Sequence, residues 1–80
     1  MKSREAVVIR LERIQEQKGV SPSQLAYIAG VHPSTVKSIM SGESKNPGIC
    51  TLKKLCDGLD VSIYDFFEDL MFKELEQEID

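Results

Sequence analysis

Apolar residues recur along this chain at helical rather than strand spacing, and glycine, proline and serine divide them into five amphipathic segments. In the first, about Ser3 to Gln17, Val7, Leu11 and Ile14 follow at intervals of four and three, with Val8 beside the stripe and Gly19 as C-cap. Ser21-Pro22-Ser23-Gln24 predicts the start of a second helix. Ser21 is its N-cap, Pro22 takes the first helical position, and Gln24 stands where it closes a capping box. That helix is expected to reach about Ala29. A third begins near Pro33, with His32 as N-cap, and stops before Gly42. Residues 41 to 48 are polar and rich in turn formers, and read as the one substantial loop. A fourth helix, about Ile49 to Leu59, offers Leu52, Leu55, Cys56 and Leu59 to a core; a fifth starts after Ser62 and carries Ile63, Phe66, Phe67 and Leu70. No segment alternates with a period of two, so an all-α fold is predicted.

The stretch from Gln24 to Ile39 carries the most information. Leu25, Ala29, Val31, Val36 and Ile39 fall on the inward side of two short helices, and Ala26 is small where the second must pass closely. Gly30 stands where the chain needs a positive φ that a Cβ opposes. This is the pattern of a helix-turn-helix, whose second helix leaves its exposed start free to enter a DNA groove. The same motif also serves as a plain structural element, since fold alone does not fix function.

Eighty residues form one domain, small enough for a second copy to add usefully to its core. The longest strictly apolar run, Ala6 to Ile9, is far too short to span a bilayer, and Met1-Lys2-Ser3-Arg4-Glu5 leads straight into a helix without a signal peptide. A cytoplasmic location is expected. Cys50 and Cys56 share one helix, and His32 is the sole histidine, so the ligand set of a zinc site is missing. Both cysteines are expected to be reduced, packed thiols; no metal or cofactor is expected. There is no glycine-rich phosphate cradle or glycine-flanked nucleophile, so an enzyme is not expected.

A formal net charge of -3 argues against a nucleic-acid partner until it is divided along the chain. Residues 1 to 54 carry nine Lys or Arg against four Glu, a balance of +5; residues 55 to 80 carry Lys73 against nine acids, a balance of -8. A basic DNA-facing part and an acidic part held away from phosphates fit this asymmetry. Solvated helix surfaces with a solubilising tail fit it as well.

The helix-turn-helix, together with Lys18-Gly19-Val20-Ser21, Asn46-Pro47 and Leu59-Asp60-Val61-Ser62-Ile63-Tyr64-Asp65-Phe66-Phe67, resembles the phage-repressor and Cro type of transcriptional regulators, the Xre family, over about residues 7 to 70. The resemblance implies a compact five-helix, lambda-repressor-like DNA-binding domain with an extended or additional C-terminal helix. Residues 1–70 would form the reader and 71–80 an acidic amphipathic helical extension. It implies sequence-specific binding of double-stranded DNA by a regulator, expected to be a repressor, with the third helix in the major groove. Pro33, Ser34, Lys37 and Ser38 would then face bases, while Thr35, Ser44 and Lys45 approach phosphates, joined by Asn46. Lys37 is the candidate reader of guanine acceptors, whereas the Ser34 and Ser38 hydroxyls donate or accept and discriminate less. His32 is a candidate phosphate contact or pH sensor as well as an N-cap. Tyr27 is expected either to reach the DNA backbone or to be partly buried with a solvated hydroxyl.

The chain departs from the family pattern at several places. Gln15 and Met40 stand where members often pair Arg with Glu, which leaves no stranded charge and fits an apolar substitute contact. Asp60 replaces a frequent glycine after the fourth helix. Pro22 stands where relatives often offer DNA a side chain or amide.

Two apolar stripes remain at the C-terminus. Ile63, Phe66, Phe67 and Leu70 share one face, and Phe72, Leu75 and Ile79 a face rotated by about 150° at 100° per residue. Either the chain turns between Asp69 and Phe72 and packs back on its own domain, or the second stripe meets another subunit. The second arrangement is expected, because a homodimer spaces two recognition helices about 34 Å apart, one turn of B-DNA. An antitoxin-like or adaptor role, with the acidic C-terminal helix holding another protein, is the competing reading.

Overall fold

An N-cap side chain starts three of the five helices of the computed structural model, which describes residues 1–79. Helix α1 spans Ser3–Lys18, α2 Pro22–Ala29, α3 Pro33–Ser41, α4 Ile49–Gly58 and α5 Ile63–Phe67, and a single 3-10 turn follows at Leu70–Lys73. At α2, Ser21 Oγ accepts from the Gln24 amide at 3.2 Å while Gln24 Oε1 accepts from the Ser21 amide at 2.8 Å, the predicted capping box. His32 Nδ1 accepts from the Ser34 amide at the start of α3, and Ser62 Oγ from the Asp65 amide at the start of α5. Gly30 closes α2 at φ 69°, and the Val31 amide then reaches Ala26 O at 3.1 Å, so the turn into α3 satisfies carbonyls that the helix end leaves open.

The core gathers one stripe from each helix: Leu11 and Ile14, Leu25 and Ala26, Val36 and Ile39, Leu52, Leu55, Cys56 and Leu59, and Phe66. Phe66 has no exposed surface, and its burial contributes about 1.5–3 kcal/mol. Helix α2 packs against both α3 and α4. At the second contact a Cβ on Gly58 would lie 3.0 Å from Ala29 N and Cα, so only glycine lets these helices approach so closely. Asp60 adopts the left-handed conformation at φ 57°, which glycine adopts without a Cβ penalty.

The C-terminal part differs from expectation. Helix α5 ends at Phe67, and Leu70 is 75 % exposed rather than part of its buried face. The cause lies on α1. Arg10 Nε donates to Phe66 O at 2.7 Å and its Nη2 to Asp65 O at 2.8 Å, capping the last carbonyls of α5 with a cation. Asp69 Oδ1 then accepts from the Met71 amide and opens the 3-10 turn. This turn brings Phe72 back onto the domain, its ring centroid 4.9 Å from Phe67 and 6.3 Å from Phe66. Phe72 therefore belongs to its own core and not to a second subunit's surface, the opposite of the arrangement expected.

Beyond the turn, residues 74–79 form no helix; of the extension 71–80, Asp80 lies outside the described residues. The segment runs beside the start of α1. Glu76 N–H donates to Met1 O at 3.0 Å, the Met1 ammonium meets Glu76 Oε2 at 2.9 Å, and Ser3 Oγ donates to Glu78 Oε2 at 3.2 Å. Cys56 is buried as predicted, which pushes its thiol pKa up, but Cys50 is exposed at the first turn of α4 rather than packed. Among the described residues no helix is long and apolar enough to cross a membrane.

Candidate nucleic-acid interface

Helix α3 turns Val36 and Ile39 into the core, and the helical period leaves Pro33, Ser34 and Lys37 exposed on the other side. These three line one shallow depression with Pro22 and Ser23 from the start of α2 and with Met40 and Ser41 farther along α3. Thr35 and Ser38 are half-buried at the flanks of that face. His32 is exposed at its leading edge, with Nδ1 3.1 Å from the Ser34 amide and 2.7 Å from Ser34 Oγ.

The loop after α3 lies to one side. Its Ser44 amide donates to Ser38 O at 3.0 Å, folding the loop back on the end of α3 and leaving Ser44 half-buried. Lys45 and Asn46 are exposed and line a second depression with Arg4 and Gly48, which Glu78 also borders. Thus Pro33, Ser34 and Lys37 come together on one surface, while Lys45 and Asn46 belong to a neighbouring one.

Charge is distributed more economically than the division along the sequence implies. Arg10 caps α5, Arg13 lies 3.4 Å from Asp69, and Lys53 pairs with Asp57 one turn along α4. Three of the nine cations before residue 55 therefore serve the fold. Lys37 and Lys45 form no ion pair among the described residues and remain available to an anionic partner. No group of His, Cys, Asp and Glu fit to hold a metal occurs among the described residues.

Sequence reasoning missed Arg4 and Ser23 as neighbours of the two surfaces. Arg4 had no signal beyond its place in the first turn of α1; Ser23 directly follows the proline of the capping box. Tyr27 is 89 % exposed on α2, beside the half-exposed Ile28, and is thus not partly buried.

Residues 10–70, which hold α2, α3 and the exposed polar face of α3, match the Cro/C1-type HTH DNA-binding domain. The chain belongs to the Cro/C1-type helix-turn-helix family. It is 34 % identical over 71 residues to the HTH-type transcriptional regulator SinR of Bacillus subtilis strain 168, and equally so to SinR of Bacillus licheniformis. The match takes in 89 % of this chain and 64 % of either relative, so the chain spans just under two thirds of their length. Among solved structures, the prophage Lp1 protein 11 superposes with a TM-score of 0.81 at 34 % identity, covering 94 % of this chain and all of that one. A point mutant of the restriction-modification controller protein C.Esp1396I gives a TM-score of 0.77 at 29 % identity, over 91 % of this chain and 94 % of the other. Family membership makes residues 10–70 a DNA-binding domain.

Proposed function

We propose that this Cro/C1-type domain regulates transcription, as a repressor, by seating α3 in the major groove of a specific operator. The observation that carries this reading is the exposed trio Pro33, Ser34 and Lys37 above the buried Val36 and Ile39. Lys37 and Ser34, with Ser38 beside them, are assigned to bases; His32, Thr35, Ser44, Lys45 and Asn46 are assigned to the phosphates on either side. The relatives' names as transcriptional regulators and as a controller protein support the same role.

A two-fold homodimer on a palindromic operator is part of this proposal. With Phe72 folded inward, Ile79 and Leu70, each about three-quarters exposed, and the half-buried Leu75 are the apolar residues of the C-terminal segment assigned to a second copy. The acidic segment supports a separate protein partner less well, because Asp69, Glu76 and Glu78 are engaged with this chain's own first helix and N-terminus.

Selection from randomised duplexes, followed by sequencing, tests the reading. Enrichment of two half-sites about 10 base pairs apart is expected, with affinity that falls steeply with salt. Recovery of unbiased sequence, or flow-through on duplex DNA at low salt, overturns it. Sedimentation equilibrium of the intact chain against Ile79→Lys tests the dimer, and a monomer at tens of micromolar removes that part.

A further inference from the structure

The start of α3 holds two polar side chains in a fixed relation. The Ser34 amide donates to His32 Nδ1 at 3.1 Å, and Ser34 Oγ lies 2.7 Å from the same nitrogen. A backbone amide always carries its proton, so the ring nitrogen that faces it carries none, and the neutral imidazole keeps its proton on Nε2. Ser34 Oγ, set against that same lone pair, is held there as a donor, since a hydroxyl lone pair turned toward Nδ1 would oppose acceptor to acceptor. The single hydroxyl proton of Ser34 is therefore consumed inside the protein. Only lone pairs remain for whatever approaches from outside.

In the major groove this distinction has a direct meaning. Adenine N6 and cytosine N4 are the amino donors, whereas guanine shows N7 and O6 and thymine shows O4, all acceptors. We propose that His32 polarises Ser34 into an obligate acceptor, so that Ser34 selects adenine or cytosine at the base it faces. This rests on α3 lying in the major groove. In this choice of base His32 acts through Ser34 and is a positioning residue, whatever its Nε2–H donates to on the phosphate side. Lys37, three residues on and on the same exposed face, is donor-only. One turn of helix thus carries two opposite readers, an acceptor for an amino group and a donor for guanine.

Two measurements test the pair. In mildly alkaline buffer, 15N resonances of the His32 ring in the free, full chain are expected to show Nε2 protonated and Nδ1 bare; the opposite tautomer overturns the proposal whatever the protein does with DNA. Selection from randomised duplexes is then run with the wild type, Ser34→Ala and His32→Gly, the last retaining a tolerated N-cap residue. The wild type is expected to hold one position at adenine or cytosine. Ser34→Ala weakens that preference about two- to tenfold, the range of one hydrogen bond, and leaves other positions intact. His32→Gly frees the hydroxyl proton and admits guanine and thymine there. A Ser34-dependent position that prefers guanine or thymine, or unchanged selection by either variant, overturns the proposal. A wild type that enriches no sequence removes the major-groove reading as well, and the ring tautomer then tells the two failures apart.

Discussion

Gln15 on α1 and Met40 on α3 are in direct contact, with Gln15 Nε2 3.7 Å from Met40 Sδ and 3.2 Å from Leu11 O. Gln15 is 5 % exposed, and the other end of its amide, Oε1, has no hydrogen-bond partner. The contact between Gln15 and Met40 is thus polar on the Gln15 side rather than the apolar one expected, and it leaves one buried acceptor unsatisfied.

Removing that acceptor should help the fold. Gln15→Met keeps the side chain's length while replacing the stranded carbonyl with a thioether, and is expected to stabilise the domain by about 1 kcal/mol. Urea denaturation of the two proteins under identical conditions measures it; a loss of stability shows that Oε1 has a partner in solution.

Arg10 should matter for stability and not for sequence preference. Its two hydrogen bonds to Phe66 O and Asp65 O need the geometry of a guanidinium fork, so Arg10→Met is expected to cost about 2 kcal/mol and Arg10→Lys to recover little of it. The selected operator should be the same for all three proteins. A shift in base preference places Arg10 on the DNA side.

Asp60 holds a left-handed backbone that glycine adopts without steric cost. Asp60→Gly is expected to stabilise the fold by about 0.5–1 kcal/mol after the greater freedom of glycine in the unfolded chain is allowed for. A lower denaturation midpoint in the variant shows that the Asp60 side chain has a compensating role.

Lys37 and Lys45 should fail in different ways. Lys37→Ala is expected to lose about 1–3 kcal/mol, concentrated at one base position, whereas Lys45→Glu weakens operator and random duplex by similar factors. Binding titrations on both duplexes at two salt concentrations separate them. Equal losses on operator and random DNA for Lys37→Ala move that residue to the phosphates.

The clasp between Met1 and Glu76 should be confined to a window around neutral pH. The hydrogen bond to Glu76 raises the ammonium's pKa above its ordinary 8.0, and the same bond lowers that of Glu76 below its ordinary 4.5. A raised base contributes fully below 8.0 and loses its contribution as pH rises through the folded-state value; a lowered acid contributes above 4.5 and loses it as pH falls through its own. Amide shifts of Glu76 and Ser3 are expected to move at both edges while the core resonances stay still, since the pair is exposed and screened. Insensitivity at both edges shows that the clasp does not form in solution.

What the sequence made legible follows the range of the interactions. Ser21 with Gln24 and His32 with Ser34 act over two or three residues, so the starts of α2 and α3 were readable from spacing. The end of α5 was not, because it is set by Arg10, more than fifty positions upstream, and a stripe through Leu70 looks helical until that cap is known. For Phe72 the two stripes allow either a turn between Asp69 and Phe72 or a second subunit, and periodicity does not choose between them; the Asp69 side chain on the Met71 amide and the Phe72 ring against Phe66 and Phe67 do. The face of α3 was readable, since burial of Val36 and Ile39 dictates which residues point outward. The expenditure of Arg10, Arg13 and Lys53 on the fold was hidden, because counting charges along a chain does not say which of them meet.

Gly58 sets how closely α4 meets the end of α2, one short turn before the proposed recognition helix α3. Its Cα side lies against Ala29, the last residue of α2, where an added methyl would press on backbone atoms at 3.0 Å that cannot swing aside. Ala29 is joined to α3 through the short turn at Gly30, so displacing one end of that lever tilts the other. A single alanine at position 58, outside every residue proposed to meet DNA, is thus expected to change the angle at which α3 is presented and not the side chains on its face.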